Sequence, residues 1–95
     1  MKYYDWDEEK NKLLKKERHI SFEEAIIAID ENKIFDIVVH HNQARYPHQK
    51  VYIIEINNYV YLVPFVEDME KYFLKTIIPS RKMTKKYLKG GEENL

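Results

Sequence analysis

The sequence predicts an α+β domain, with two N-terminal helices packed on a twisted antiparallel sheet of about four strands and a C-terminal helix. Three observations predict it. Helix-forming segments with clear start signals occupy the chain up to Asn32. β-rich segments punctuated by turn residues run from Ile34 to Ile78, and a serine-led basic stretch follows them.

Tyr3-Tyr4-Asp5-Trp6 is a short β-compatible start, ended by acids. Asp7-Glu8-Glu9 opens a charged helix to about Arg18, acids first and bases last as the helix dipole favours, with Leu13 and Leu14 as anchors. Ser21-Phe22-Glu23-Glu24 fits a capping box, with Ile20 before it as a staple residue. Phe22, Ala25, Ile26 and Ile29 then share one helical face, and Asn32 is the stop. Residues 35–40 are β-rich, and residues 42–48 read as a polar loop containing Pro47. Residues 50–56 and 59–66 flank Asn57-Asn58, a pair that tolerates positive φ and suits a two-residue hairpin turn.

That turn places Ile56 opposite Tyr59, Ile54 opposite Tyr61 and Tyr52 opposite Val63, on the face that buries under the helices. Val51, Ile53, Glu55, Val60 and Leu62 take the other face. A turn at residues 67–70 leads to a strand over residues 71–78, and a two-residue loop at Asp68-Met69 brings Lys75 and Ile77 to this second face. Pro79-Ser80 breaks the strand, and Ser80 caps a helix over residues 81–89 that Gly90-Gly91 ends. Residues 1–91 thus form a single domain, with residues 92–95 as a frayed tail.

Ninety-five residues hold one core, and a 44% apolar fraction is ample to pack it. The absence of cysteine excludes disulfides and thiolate metal sites. No apolar run approaches membrane-spanning length and the N-terminus lacks a signal-peptide core, so a cytoplasmic location is expected. Sixteen acids balance sixteen bases, but unevenly: residues 71–91 carry seven bases and no acid. A local basic segment on a neutral chain suits a confined anionic ligand, and equally a solvated lysine-rich helix face.

His40 and His41 are adjacent and point to opposite faces of a strand, so they cannot be paired ligands of one metal. With His48 they are instead the candidates for proton transfer near neutral pH; no metal and no cofactor is expected. The strongest constellation runs from Lys75 to Tyr87. A strand delivers Lys75, and a sharp break leads to a helix whose first amides and Arg81 face the same region, as a phosphodiester transition state requires. The competing reading is a surface helix held by Met83 and Tyr87. Glu55 and Lys75, if neighbours, form either an acid–base pair or an ordinary cross-strand ion pair. Tyr46 and Tyr87 are the tyrosines best placed to stack on a base.

Three separated segments then resemble one family. Tyr4-Asp5-Trp6-Asp7-Glu8-Glu9-Lys10-Asn11, Ile20-Ser21-Phe22-Glu23-Glu24-Ala25 and Ile77-Ile78-Pro79-Ser80-Arg81-Lys82-Met83-Thr84-Lys85-Lys86-Tyr87 are together similar to BrnT-type toxins, over about residues 3–89. Where that family commonly has Lys-His-Gly before the second segment, this chain has Glu17-Arg18-His19. The resemblance implies a RelE-like fold and the toxin role in a type II toxin–antitoxin system. It further implies ribosome-independent RNA cleavage without metal, by attack of the 2′-hydroxyl on the adjacent phosphate. Its partners would be RNA and a ribbon–helix–helix antitoxin, in a higher-order toxin–antitoxin complex, with no membrane. Arg81 matches the arginine of the family's terminal motif.

On the nuclease reading, Arg81 and Lys75 stabilise phosphate, with Lys82, Lys85 and Lys86 as RNA contacts. His48, His40 or His41 moves the proton, and Tyr87 assists. The alternative is a non-catalytic domain, an inactive toxin or regulator, that only grips an antitoxin through the basic helix and the apolar sheet face.

Overall fold

The computed structural model describes residues 2–39 and 41–88. In chain order these form β1 (Tyr3–Asp5), α1 (Glu8–Arg18), α2 (Phe22–Asp30), β2 (Ile34–Val39), β3 (Gln49–Ile56), β4 (Tyr59–Glu67), β5 (Lys71–Leu74), β6 (Ile78–Pro79) and α3 (Arg81–Tyr87). The architecture is α+β, three helices on a six-stranded open sheet of order β1-β5-β4-β3-β2, with β6 also paired to β4. The sheet therefore has two strands more than the four or so expected. One is β1, which lies parallel to β5, so the sheet is mixed rather than wholly antiparallel. The Tyr4 ring stacks on Tyr72 at 5.2 Å, and Lys71 reaches Asp5 at 3.0 Å, which together hold this short edge strand.

The helices follow their capping chemistry. Asp7 caps α1 by accepting from the Glu9 amide, and His19 closes it in the left-handed region at φ 56°. At α2 the reciprocal capping box is formed: the Ser21 hydroxyl accepts from the Glu24 amide at 3.2 Å, and the Glu24 carboxylate accepts from the Ser21 amide at 2.9 Å. Leu14 is buried as expected, but Leu13 is exposed. Its place as an anchor goes to Asn11, which is fully buried. The Asn11 amide donates to Glu23 at 2.8 Å while its carbonyl accepts from the Phe22 backbone at 2.8 Å, latching α1 to the start of α2.

The hairpin turn behaves as its residues require. Asn57 and Asn58 take φ of 52° and 63°, and the pairs Ile56–Tyr59, Ile54–Tyr61 and Tyr52–Val63 are all present. Tyr52, Ile54, Ile56, Val63, Phe65, Leu74 and Ile77 bury against Leu14, Ile20, Phe22, Ala25 and Ala28 of the helical layer. This is the main core.

The stretch after the second turn departs from expectation. Instead of one strand to Ile78, β5 stops at Leu74 and β6 resumes at Ile78 with the pairing moved by one residue: β5 sets Phe65 opposite Leu74, whereas β6 sets Leu62 opposite Ile78. The cause is Pro64. Lys75 donates its amide to the Pro64 carbonyl at 2.8 Å, but proline has no N–H to return, so the ladder ends there. The slip sends Ile77 into the main core, fully buried, and puts Ile78 on the opposite face. Ile77 was expected on that second face; it is not there.

Ser80 caps α3 as predicted, accepting from the Met83 amide at 3.1 Å, and the described helix runs to Tyr87. Thr84 fastens it to the sheet. Its buried hydroxyl accepts from the Val60 amide at 3.0 Å and donates to the Ser80 carbonyl at 2.7 Å. Lys89, Gly90-Gly91 and the tail of residues 92–95 lie outside the described residues. Among the described residues no helix is long and apolar enough to cross a membrane.

Candidate functional site

The sheet face opposite α1 and α2 is only partly covered. α3 is fastened over Val60 there, Ile53 is buried beside it, and an open cleft of about 410 Å³ adjoins them. Val38, Val51, Ile53, Leu62 and Pro64 are among the sheet residues that line it, with Ile78 and Met83 on the α3 side and His41 and Gln49 as polar groups. Arg81 and Lys82 occupy the chain between the two cleft residues Ile78 and Met83, and both are exposed. Lys85 and Lys86 follow on the same helix, also exposed. None of these four cations has a carboxylate within ion-pair distance among the described residues, and neither has exposed Lys75.

The helix amides contribute less than the sequence suggested. α3 has seven residues, and Ser80 already occupies the Met83 amide while the Thr84 amide bonds the Ser80 carbonyl. Any hold on an anion therefore comes from side chains. Two cations in the first turn of a helix run against its dipole, each at a cost of roughly 0.3–1 kcal/mol, which a bound anion would reverse.

The other candidates separate. His40 lies outside the described residues. His48, at φ 65°, lines a different pocket with Lys2, Lys50, Glu67, Asp68 and Met69. Its neighbour Gln49 pairs with Val66, four residues along β4 from the Leu62 that pairs with Ile78, or roughly 13 Å at the rise of a strand. His48 is thus not brought to Arg81; His41, one of the three histidines considered, lines the cleft, but at its Gln49 end, two residues beyond the Val39 that pairs with Lys50. Tyr87 stacks on Phe35 at 4.8 Å and is half-buried, with the Lys86 amine 5.4 Å from its ring, so it packs α3 onto β2 rather than standing free. Phe35 stands at a bulge in β2 between Ile34 and Asp36, on the face opposite core-packed Ile34. Glu55 lies opposite Val60 and bonds through its amide to the Lys33 carbonyl, four β4 residues from Pro64, so Glu55 and Lys75 are not neighbours. Arg45 sits 5.5 Å over the exposed Tyr46 ring, away from α3 in sequence.

The strongest electrostatic perturbations lie elsewhere. Glu67 pairs with Lys2 and, at 3.6 Å, with Lys50; the hydrogen bond from Lys2 holds its carboxyl below the ordinary value of 4.5. Beside it, burial pushes the Tyr52 phenol well up, and Tyr52 shares a hydrogen bond with Tyr4. No group of three or more histidines, aspartates or glutamates arranged to hold a metal occurs among the described residues. Comparison with known protein families, with curated proteins and with solved structures finds no match for this chain.

Proposed function

We propose that this chain is the toxin of a type II toxin–antitoxin pair, a RelE-like endoribonuclease that cleaves RNA without metal by 2′-hydroxyl attack. The observation that carries the reading is the concentration of cations without a carboxylate partner, among the described residues, on the chain that walls the apolar cleft. Arg81 and Lys82 sit between Ile78 and Met83, with Lys75 just before them. The apolar floor seats a base, Arg81 and Lys75 take the phosphate, and Lys82, Lys85 and Lys86 hold the flanking backbone. His41 is the proton-transfer group this reading favours, because it lines the same cleft. The three sequence segments similar to BrnT-type toxins support the same assignment, including a ribbon–helix–helix antitoxin as partner.

The test is expression of the chain alone in a bacterial host, with Arg81→Ala in parallel and total RNA followed over time. RNA loss and growth arrest from the native chain, and neither from the variant, are expected. Intact RNA at normal soluble expression of the native chain overturns the reading.

A second reading has its own observation. The cleft is walled mostly by apolar side chains, and Ile37, Val38 and Val39 of edge strand β2 are exposed, Val39 by 62%. Such a surface suits a protein segment as well as a base. In that case the chain is a non-catalytic domain that grips an antitoxin, and complexes form without RNA turnover.

A further inference from the structure

Ion pairing alone does not mark the site, since Lys10, Lys16 and Arg45 have no carboxylate within 4 Å among the described residues. Lys2, Lys12, Lys15, Lys33, Lys50 and Lys71 each have a carboxylate within 4 Å. Arg18 has none, and it is the one cation of the helical layer tied directly to the basic segment. Its guanidinium donates to the Ile77 carbonyl at 2.7 Å, across 59 residues of chain. That carbonyl stands two residues after Lys75 and four before Arg81, in the bend between β5 and β6. On its outer side the bend is open, because β6 pairs with β4 alone. Arg18 therefore approaches this sheet edge from the helical face, while α3 approaches it from the cleft face. The bond to Ile77 uses one of five guanidinium N–H donors, and Arg18 remains exposed.

We propose that Arg18 is a backbone-binding residue of the same site, so that a single-stranded polyanion leaving the cleft is held at the β5–β6 edge from both faces of the sheet. That the polyanion is RNA rests on the proposed function; that Arg18 contacts it does not. The sequence hides this role, since Arg18 reads there as an ordinary basic residue at a helix C-terminus.

The experiment measures binding of a labelled 2′-O-methyl oligoribonucleotide, which cannot be cleaved by 2′-hydroxyl attack, by fluorescence anisotropy over a salt series. Native chain, Arg18→Ala, Arg18→Lys and Lys12→Ala are compared, each checked for native circular dichroism. One lost phosphate contact on a single strand lowers the slope of log K against log salt by about 0.7. That loss is expected for Arg18→Ala, with the slope retained in Arg18→Lys and in Lys12→Ala, whose lysine is already paired with Glu9. An unchanged slope in Arg18→Ala overturns the proposal. So does an equal loss in Arg18→Ala and Arg18→Lys, which makes the residue a brace for the Ile77 bend alone. No binding by the native chain overturns it together with the RNA reading. An Arg18-dependent slope beside intact cellular RNA on expression supports it while the nuclease reading falls.

Discussion

The two faces of the sheet divide the work of the molecule. On the helical face Phe22, Ile54, Phe65, Leu74 and Ile77 are sealed in one cluster, and rings stack across it: Trp6 on Phe22 at 5.7 Å and Tyr52 on Phe65 at 4.2 Å. On the opposite face Val60 is fastened to α3 and Ile53 is buried beside it, while Val38, Val51 and Leu62 stay partly open near cations that have no carboxylate partner among the described residues. The ion pairs follow the same division. Lys2–Glu67, Lys50–Glu67 and Lys71–Asp5 stand around the β1–β5 end of the sheet, and none involves residues 75–88. One face is arranged for stability, and the other leaves apolar surface and positive charge available together.

The sharpest way to break this contrast is to truncate one residue on each face. Phe22→Ala removes a ring at zero exposure and should cost about 3–5 kcal/mol, a large share of the stability of a domain this size. Leu62→Ala, in the open cleft, should cost distinctly less, since its side chain is already partly in water. Urea denaturation of the two variants decides it; equal losses would mean that the cleft face is core. The reverse asymmetry is expected in function. Arg81→Ala should leave the urea midpoint in place and slow RNA cleavage about 10²–10³-fold, the loss typical of one transition-state donor. A shifted midpoint with a smaller rate loss would make Arg81 a structural residue.

How far the two faces were legible differs for physical reasons. The helical face follows from local signals: a capping box at Ser21, a hydrophobic period in α2, and an asparagine pair that fixes hairpin register. Each of those is decided within a few residues. What decides the cleft face is non-local. The strand break depends on Pro64 lying opposite Lys75, eleven residues later, and a one-residue slip there moves Ile77 from one face to the other. Buried Asn11 was missed because a polar residue in a charged helix gives no sign that two partners wait on α2. The basic segment itself was plain in the sequence, but the lining of the cleft by His41 rather than His48 was not.

Thr84 is the point where α3 is fastened to the cleft face, and the next prediction sharpens that role. Thr84→Val keeps the volume but removes the acceptor for the Val60 amide, in a buried position. An unsatisfied buried donor costs about 1–3 kcal/mol. The loss should be local, because the main core does not involve this bond. Hydrogen exchange should therefore quicken at Val60 and along α3 while α2 and the Ile54 amide remain protected. Uniform quickening across both layers would show that α3 is part of the cooperative core.

The smallest effect separates the charged ends. Glu67, Asp5 and Asp68 have carboxyls held below their ordinary values of 4.5, 3.8 and 3.8, the first by Lys2, the second by Lys71 and the third by the Glu70 amide. A lowered folded-state value means that the unfolded chain binds the proton first as pH falls. The stabilisation is whole above about pH 4.5 and drains away as pH drops through the lower folded-state values. Lys2 and Lys71, raised above 10.5 by the same partners, place the matching loss on the alkaline side, as pH climbs through their folded-state values. These groups are at least partly open to solvent, so salt screens them and the change is modest. Glu67→Gln should flatten the acid limb of the stability profile and leave the midpoint of Arg81→Ala untouched in a double variant, because the two sites share no partner. If the double variant is instead much less stable than the sum of its parts, the β1–β5 end and the basic edge communicate, and the division between the two regions is incomplete.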